Sequence, residues 1–219
     1  MNRNTLLTLI LLSLLGLVSC SSRKTIYKKG DRLTLQPDAD KGIDANIENY
    51  PGGNYPNRNF GDYDAFAAVA WTAGEPLVVR GLLKFNLEAI NIKTKIKKAT
   101  LSLYAVSTPG IGTGHSTLSG SNDFALVKII APWDEHKVTW NTQPAISDKD
   151  EILFPATTSE TQDFTDIDVT IMVREMIRHP EENNGFMLKL LNEEYYRRVI
   201  FGSSDNINPA KRPKLVIEF

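Results

Sequence analysis

The densest run of potential chemistry is Ala131–Pro144, APWDEHKVTWNTQP, which sets two tryptophans, two carboxylates and a histidine between two prolines. Asp134 and Glu135 could act as an acid and a base. Adjacent side chains on extended backbone point apart, however, and cannot both face one glycosidic bond. His136 would need a second histidine or a paired carboxylate to serve as base or ligand, and His115 and His179 stand at no HxH, HxxxH or HxxEH spacing. The chain also has no G-x-S-x-G stretch, no glycine-rich phosphate loop before a helix and a single cysteine. Acyl transfer, nucleotide chemistry and thiolate metal clusters are left without their usual residues, and the expectation is a protein that is not an enzyme. The stretch fits better as a seal on a core: two indoles bury much apolar area while their N–H groups find partners among nearby carboxylates and carbonyls.

Two other groups could bind something. Asp44 with Asn46, and Asn59 with Asp62 and Asp64, offer oxygen ligands of the kind a structural Ca2+ takes from loops; Asp44, Asn59 and Asp62 are the metal candidates. The same residue types dominate turns, where they satisfy their own backbone, and that reading stands beside the first. A glycan platform needs aromatic faces flanked by hydrogen-bonding groups, and an acidic polysaccharide needs Arg or Lys as well. Arg80 and Lys84 share one face of their strand, and Tyr104 could lie on the same sheet surface. Trp71, Tyr196 and Arg197, with Tyr195 and Arg198, complete the set of rings and cations. Trp71 also ends an apolar run, as a core residue does, and Tyr195-Tyr196 could simply form a hairpin tip.

Short segments of alternating polarity separated by Gly, Pro, Asn and Asp must position these groups, which is the pattern of an all-β sandwich or barrel. Strands are expected at 33–36, 45–48, 65–71, 77–87, 99–106, 123–130, 185–191, 199–203 and 214–219. In 99–106, Ala99, Leu101, Leu103 and Ala105 take one face and Thr100, Ser102 and Tyr104 the other. Val169, Met172, Val173, Met176 and Ile177 instead recur at helical spacing, with Asp168 or Thr170 to cap the start and His179-Pro180 to end it. Residues 107–122 read as a long flexible loop.

Ahead of the domain, Arg3 and the apolar run Leu6–Leu17 form a secretory leader too short to span a bilayer, followed by Leu17-Val18-Ser19-Cys20. LVSC resembles the lipobox of bacterial lipoproteins, which implies cleavage before Cys20 and its lipidation. Ser21 rather than aspartate follows, which by lipoprotein sorting implies the outer membrane, on its periplasmic or cell-surface face. The expected division is 1–19 signal peptide, 20–31 lipidated cysteine and tether, and 32–219 sandwich domain. A formal charge of −1 over 219 residues carries no basic signature for nucleic acid.

Eight pieces then follow in a recognisable order: DANI (44–47), NRNFG (57–61), RGLLKFNL (80–87), IKKATLSLY (96–104), WDEHKVTWNTQP (133–144), DIDVT (166–170), NGFMLKL (184–190) and FGSSDN with RPKLVIEF (201–219). Together they resemble the DNRLRE domain, an extracellular β-sandwich family that includes carbohydrate-binding modules. The resemblance implies an antiparallel, jelly-roll-like sandwich with one short helix. It makes Trp133, Glu135, Thr139, Trp140 and Asn141 framework residues, and sets Arg80 and Phe85 at framework-like positions. Two functions of different class follow: a non-catalytic, membrane-anchored module holding a polysaccharide, with an acidic polymer as the expected kind, or a structural or adhesive lipoprotein that binds protein partners.

Overall fold

A computed structural model describes residues 24–108 and 112–219. The leader and Cys20 lie outside the described residues. In chain order the elements are β1 (Arg32–Leu35), β2 (Ile43–Asn49), β3 (Ala65–Thr72), β4 (Pro76–Lys84), β5 (Lys98–Leu103), β6 (Ser116–Thr117), β7 (Phe124–Ile129), β8 (Ile146–Phe154), β9 (Phe164–Asp168), α1 (Thr170–Arg178), β10 (Phe186–Leu190), β11 (Arg197–Gly202) and β12 (Lys214–Glu218). One sheet has the order β1-β12-β5-β9. The other runs β6-β11-β3-β4-β10-β7-β8, with β2 on β4 as well. The fold is an antiparallel β-sandwich.

Its main core lies between the two sheets: Phe66, Leu83, Leu101, Leu103, Phe124, Leu126, Phe186, Phe201, Leu215 and Ile217 are all buried in it. The alternation expected in β5 is present, with Ala99, Leu101 and Leu103 inward. Helix α1 adds Met172, Val173, Met176 and Ile177 to the same core. Its entry is held by the Thr170 N–H donating to Asp168 Oδ1 at 2.9 Å, and by Thr170 Oγ1 accepting from the Ala99 N–H at 2.9 Å.

At Gly81, β4 exchanges one neighbour for another. Residues 76–79 pair with β3 and residues 81–83 with β10. The first half of β3 passes so close that a Cβ on Gly81 would lie 2.7 Å from the Phe66 ring and 3.1 Å from the Ala67 backbone. The edge of β3 freed by this crossing is satisfied by a side chain. Asn46, fully buried on β2, donates from Nδ2 to the Ala65 carbonyl at 2.9 Å and accepts at Oδ1 from the Ala67 N–H at 3.0 Å. A buried backbone edge requires such partners, and the amide of asparagine supplies both in one plane.

The 131–144 stretch covers an outer face of the larger sheet, not an end of the sandwich. Trp133 and Trp140 pack over Ala45, Ile47, Leu82, Val127 and Met187, and Trp133 Nε1 donates to the Asn184 carbonyl at 2.8 Å. The expected loop 107–122 contains β6 and a buried pin. His115 is 1 % exposed. Its Nε2 meets the Gln162 carbonyl at 2.9 Å and its Nδ1 accepts from the Ile200 N–H at 3.0 Å. Burial lowers its pKa, in keeping with a neutral ring that donates at one nitrogen and accepts at the other.

Candidate functional site: an aromatic row across four strands

On the ladder β11-β3-β4-β2, directly paired residues put their side chains on the same face. Arg198 pairs with Val69, Val69 with Val79, and Val79 with Glu48. One step along the strands, Trp71 pairs with Leu77. Continuing both flanking ladders by one residue sets Tyr196 opposite Trp71 and Tyr50 opposite Leu77. The rings bear this out at one end: Tyr196 and Trp71 meet edge to face with centroids 5.1 Å apart. Tyr196, Trp71, Leu77 and Tyr50 therefore form a row crossing four strands, about 14 Å at the usual strand spacing, which is the length of a short oligosaccharide. Along the same face Ala65, Ala67, Val69, Val79 and Ile200 form a buried cluster against which Trp71 and Leu77 pack.

Each end of the row carries an arginine lying on aromatic rings. The Arg198 guanidinium stands 4.5 Å over Trp71, aligned by an Nε–H donated to the Gly114 carbonyl at 2.8 Å; burial lowers its pKa. At the other end, Tyr50 donates its hydroxyl to the Ala73 carbonyl at 2.7 Å and opens a ring series: Tyr50–Tyr55 at 5.1 Å, Tyr55–Phe60 at 5.5 Å and Phe60–Tyr63 at 5.4 Å. Arg58 lies 4.9 Å from the Tyr55 ring and 5.3 Å from Phe60. Two 3-10 turns, Pro51–Gly53 and Tyr55–Asn57, joined at Asn54 in the left-handed region (φ 56°), fold this segment back toward the row. Below Arg58, burial pushes the Glu48 carboxyl up to about 7 against the pull of the arginine, and burial with the nearby Glu48 raises the Tyr63 hydroxyl.

A family model matches residues 41–219, described as carbohydrate-binding module family 96. The chain belongs to that family. No curated protein matches it. The matched residues contain every strand from β2 to β12 and so the whole row.

Of the residues singled out in the sequence, the module brings Trp71 and Tyr196 together. Arg197 points away from their face: it is 9 % exposed, bonds Glu194 at 3.0 Å and lies under Gly120. Its neighbour Arg198 occupies the platform instead, as strand alternation requires. Arg80, Lys84 and Tyr104 do not share one sheet. The first two are on β4, while Tyr104 follows β5 of the smaller sheet with Lys214 5.6 Å from its ring. Arg80 is occupied within the framework, forked onto Glu193 at 2.8 and 3.0 Å, bonded to Gln143 at 2.9 Å and stacked 4.7 Å from Trp140.

The metal candidates separate similarly. Asn59 is consumed in holding the loop that bears Glu135: its Nδ2 donates to the Glu135 and Val138 carbonyls at 2.7 and 2.8 Å, and its Oδ1 accepts from the Gly61 N–H. Asp44 is 1 % exposed and accepts at Oδ2 from the Ser204 N–H at 2.9 Å. It stands with Glu135 and Asp205, one carboxylate oxygen of each within 4.8 Å of the others. Burial pushes the Asp44 carboxyl up to about 7, and burial also raises Glu135 and Asp205, with Asp62 adding to both. Asp62 itself is exposed, 3.5 Å from His136.

Proposed function

We propose that this module binds a polysaccharide chain along Tyr196, Trp71, Leu77 and Tyr50. Arg198 and Arg58 meet carboxylates of an acidic, uronate-bearing polymer at the two ends. The observation that carries this reading is the row itself: Tyr196 edge to face with Trp71 at 5.1 Å, continued by Leu77 and Tyr50, with a guanidinium stacked on an aromatic ring at either end. Rings supply the flat apolar contact that sugar faces take, and a planar guanidinium matches a carboxylate in bidentate fashion. Stacking on rings limits the loss of arginine side-chain freedom on binding.

Binding here is non-catalytic. Glycoside cleavage requires two carboxyl groups facing one bond. The adjacent acids Asp134 and Glu135 turn apart, Asp134 to Lys137 at 2.8 Å and Glu135 inward to the Asp44 N–H at 2.9 Å. The leader and the LVSC stretch support lipidation at Cys20, which would hold the module at the outer membrane with its row free to collect polymer.

Affinity gel electrophoresis tests the reading. The protein should be retarded in a gel containing a polyuronate and less so in one containing a neutral glucan, and Trp71→Ala should abolish the retardation. A folded protein that migrates unretarded in every polysaccharide would instead support a structural or adhesive lipoprotein with protein partners.

A further inference from the structure

We propose that Lys29, Lys93, Lys95 and Lys97 form a seat for anionic lipid headgroups, on which the module rests against its membrane; the nearness of that membrane relies on the lipidation proposed for Cys20. The segment ahead of β1 is fastened to the sandwich. Thr25 donates its N–H to the Ala89 carbonyl at 2.7 Å and accepts at its carbonyl from the Asn91 N–H at 2.9 Å. Tyr27 lies flat on Phe219, with centroids 4.2 Å apart and planes 7° from parallel. The Gly30 N–H donates to the Phe219 carbonyl at 2.7 Å. Thr25 follows Cys20 by five positions, a reach of at most about 18 Å for any conformation of the chain. Acyl chains on Cys20 therefore hold this face of the module against the bilayer.

The face so held is basic. Lys93, Lys95 and Lys97 are exposed at alternate positions while Thr94 and Ile96 between them are buried. With Lys29 these lysines rim a hollow of about 460 Å3 over Tyr27, Ile96 and Phe219. Among the described residues no carboxylate lines it. Glu218 approaches Lys97 at 3.6 Å, but both side chains are exposed and such a pair holds weakly. Two aliphatic side chains stand out beside the cations, Ile26 at 63 % and Ile92 at 49 % exposed. Ammonium groups that reach phosphates, next to apolar groups that enter the boundary with the acyl chains, suit a lipid surface. A soluble polyanion would use the lysines and leave the isoleucines in water. The aromatic row lies elsewhere: β4 runs about 23 Å from Leu77 to Lys84 at the usual rise per residue, and the chain builds the hollow only after that end. A module seated on its lysines keeps the row clear of the lipid.

The test uses the full chain, purified from membranes and incorporated into vesicles of phosphatidylcholine alone or of phosphatidylcholine and phosphatidylglycerol in equal parts. Its intact mass shows whether Cys20 is acylated, which separates failure of the anchor from failure of the seat. A water-soluble amine-acylating reagent, followed by peptide mass spectrometry, then reads each lysine. Lys29, Lys93, Lys95 and Lys97 should react about five-fold more slowly on the anionic vesicles than on the neutral ones. Lys189, on the outer face of the larger sheet, should react equally on both. Lys93→Glu combined with Lys95→Glu should remove the protection of Lys29 and Lys97. If Cys20 carries no acyl chain, the same protein should still float with the anionic vesicles and not with the neutral ones. Equal reactivity of the four lysines on both vesicles, protection shared by Lys189, or an unacylated protein that floats with neither would overturn the proposal. So would equal protection by a soluble polyuronate without vesicles, which would make the hollow a second polysaccharide site.

Discussion

Tyr196 meets Trp71 edge to face at 5.1 Å with its own backbone in the left-handed region, φ 68°. A tyrosine there costs on the order of 1 kcal/mol, a penalty that glycine would avoid. The strained residue is also one of the exposed rings of the row, as expected where binding, not stability, sets the residue. Tyr196→Gly should therefore leave the urea midpoint no lower than wild type, while affinity for a polyuronate falls about ten-fold or more. A variant that loses stability and retains affinity would place the tyrosine in the framework.

Asn46 stands in for a missing strand. Asn46→Ala would orphan the Ala65 carbonyl and the Ala67 N–H, two buried backbone groups, at roughly 2–4 kcal/mol. The loss should appear in urea unfolding as a lower midpoint with an unchanged slope. A loss below about 1 kcal/mol would mean that β3 finds other partners.

Arg58 and Arg198 make the expected attraction electrostatic and only partly screened at close range. Affinity for a polyuronate should fall several-fold between 50 and 500 mM NaCl on the scale of that screening. Arg58→Gln should lower affinity and flatten the salt dependence together. Salt-independent binding in the wild type would remove charge from the account.

Glu48 gives a pH dependence of definite sign. Its folded pKa, raised to about 7, lies above the ordinary carboxyl value, so its contribution to stability is fully present below about 4.5 and is lost as pH rises through 7. Glu48→Gln should leave stability nearly unchanged at pH 4 and raise it by up to about 3 kcal/mol at pH 8. Urea unfolding at the two pH values provides the comparison, and an equal effect at both would show that burial of the charge is not the cause.

The sandwich was legible because its interior strands alternate or run apolar. Leu101, Leu103, Phe186 and Leu188 announce their elements, and the spacing of Met172, Val173 and Met176 announces α1. The missed strands β8 and β9 lie at sheet edges, with polar residues on both faces of ISDKDEILF and FTDID and left-handed backbone at Asp150 and Asp166. Edge strands carry such charge to resist further pairing, which erases the period that sequence reading relies on. Trp71 and Tyr196 were visible as residue types, but the row depends on cross-strand register, which adjacency in sequence cannot give. Tyr50, Tyr55, Phe60 and Tyr63 left a fainter signal: four aromatics and an arginine within residues 50–63, a segment otherwise made of turn formers. Asp44 was read as a metal candidate together with Asn46. The carboxylates that the fold brings to it, Glu135 and Asp205, are distant in the chain.

The most direct measurement is calorimetric titration of a uronate oligosaccharide into the wild type, Trp71→Ala and the double variant Lys84→Ala, Tyr104→Ala. The account predicts a loss of at least ten-fold for Trp71→Ala, in line with truncation of a central aromatic contact, and wild-type affinity for the double variant. Wild-type affinity in Trp71→Ala, with binding lost in the double variant, would contradict it and move the ligand to the other sheet surfaces.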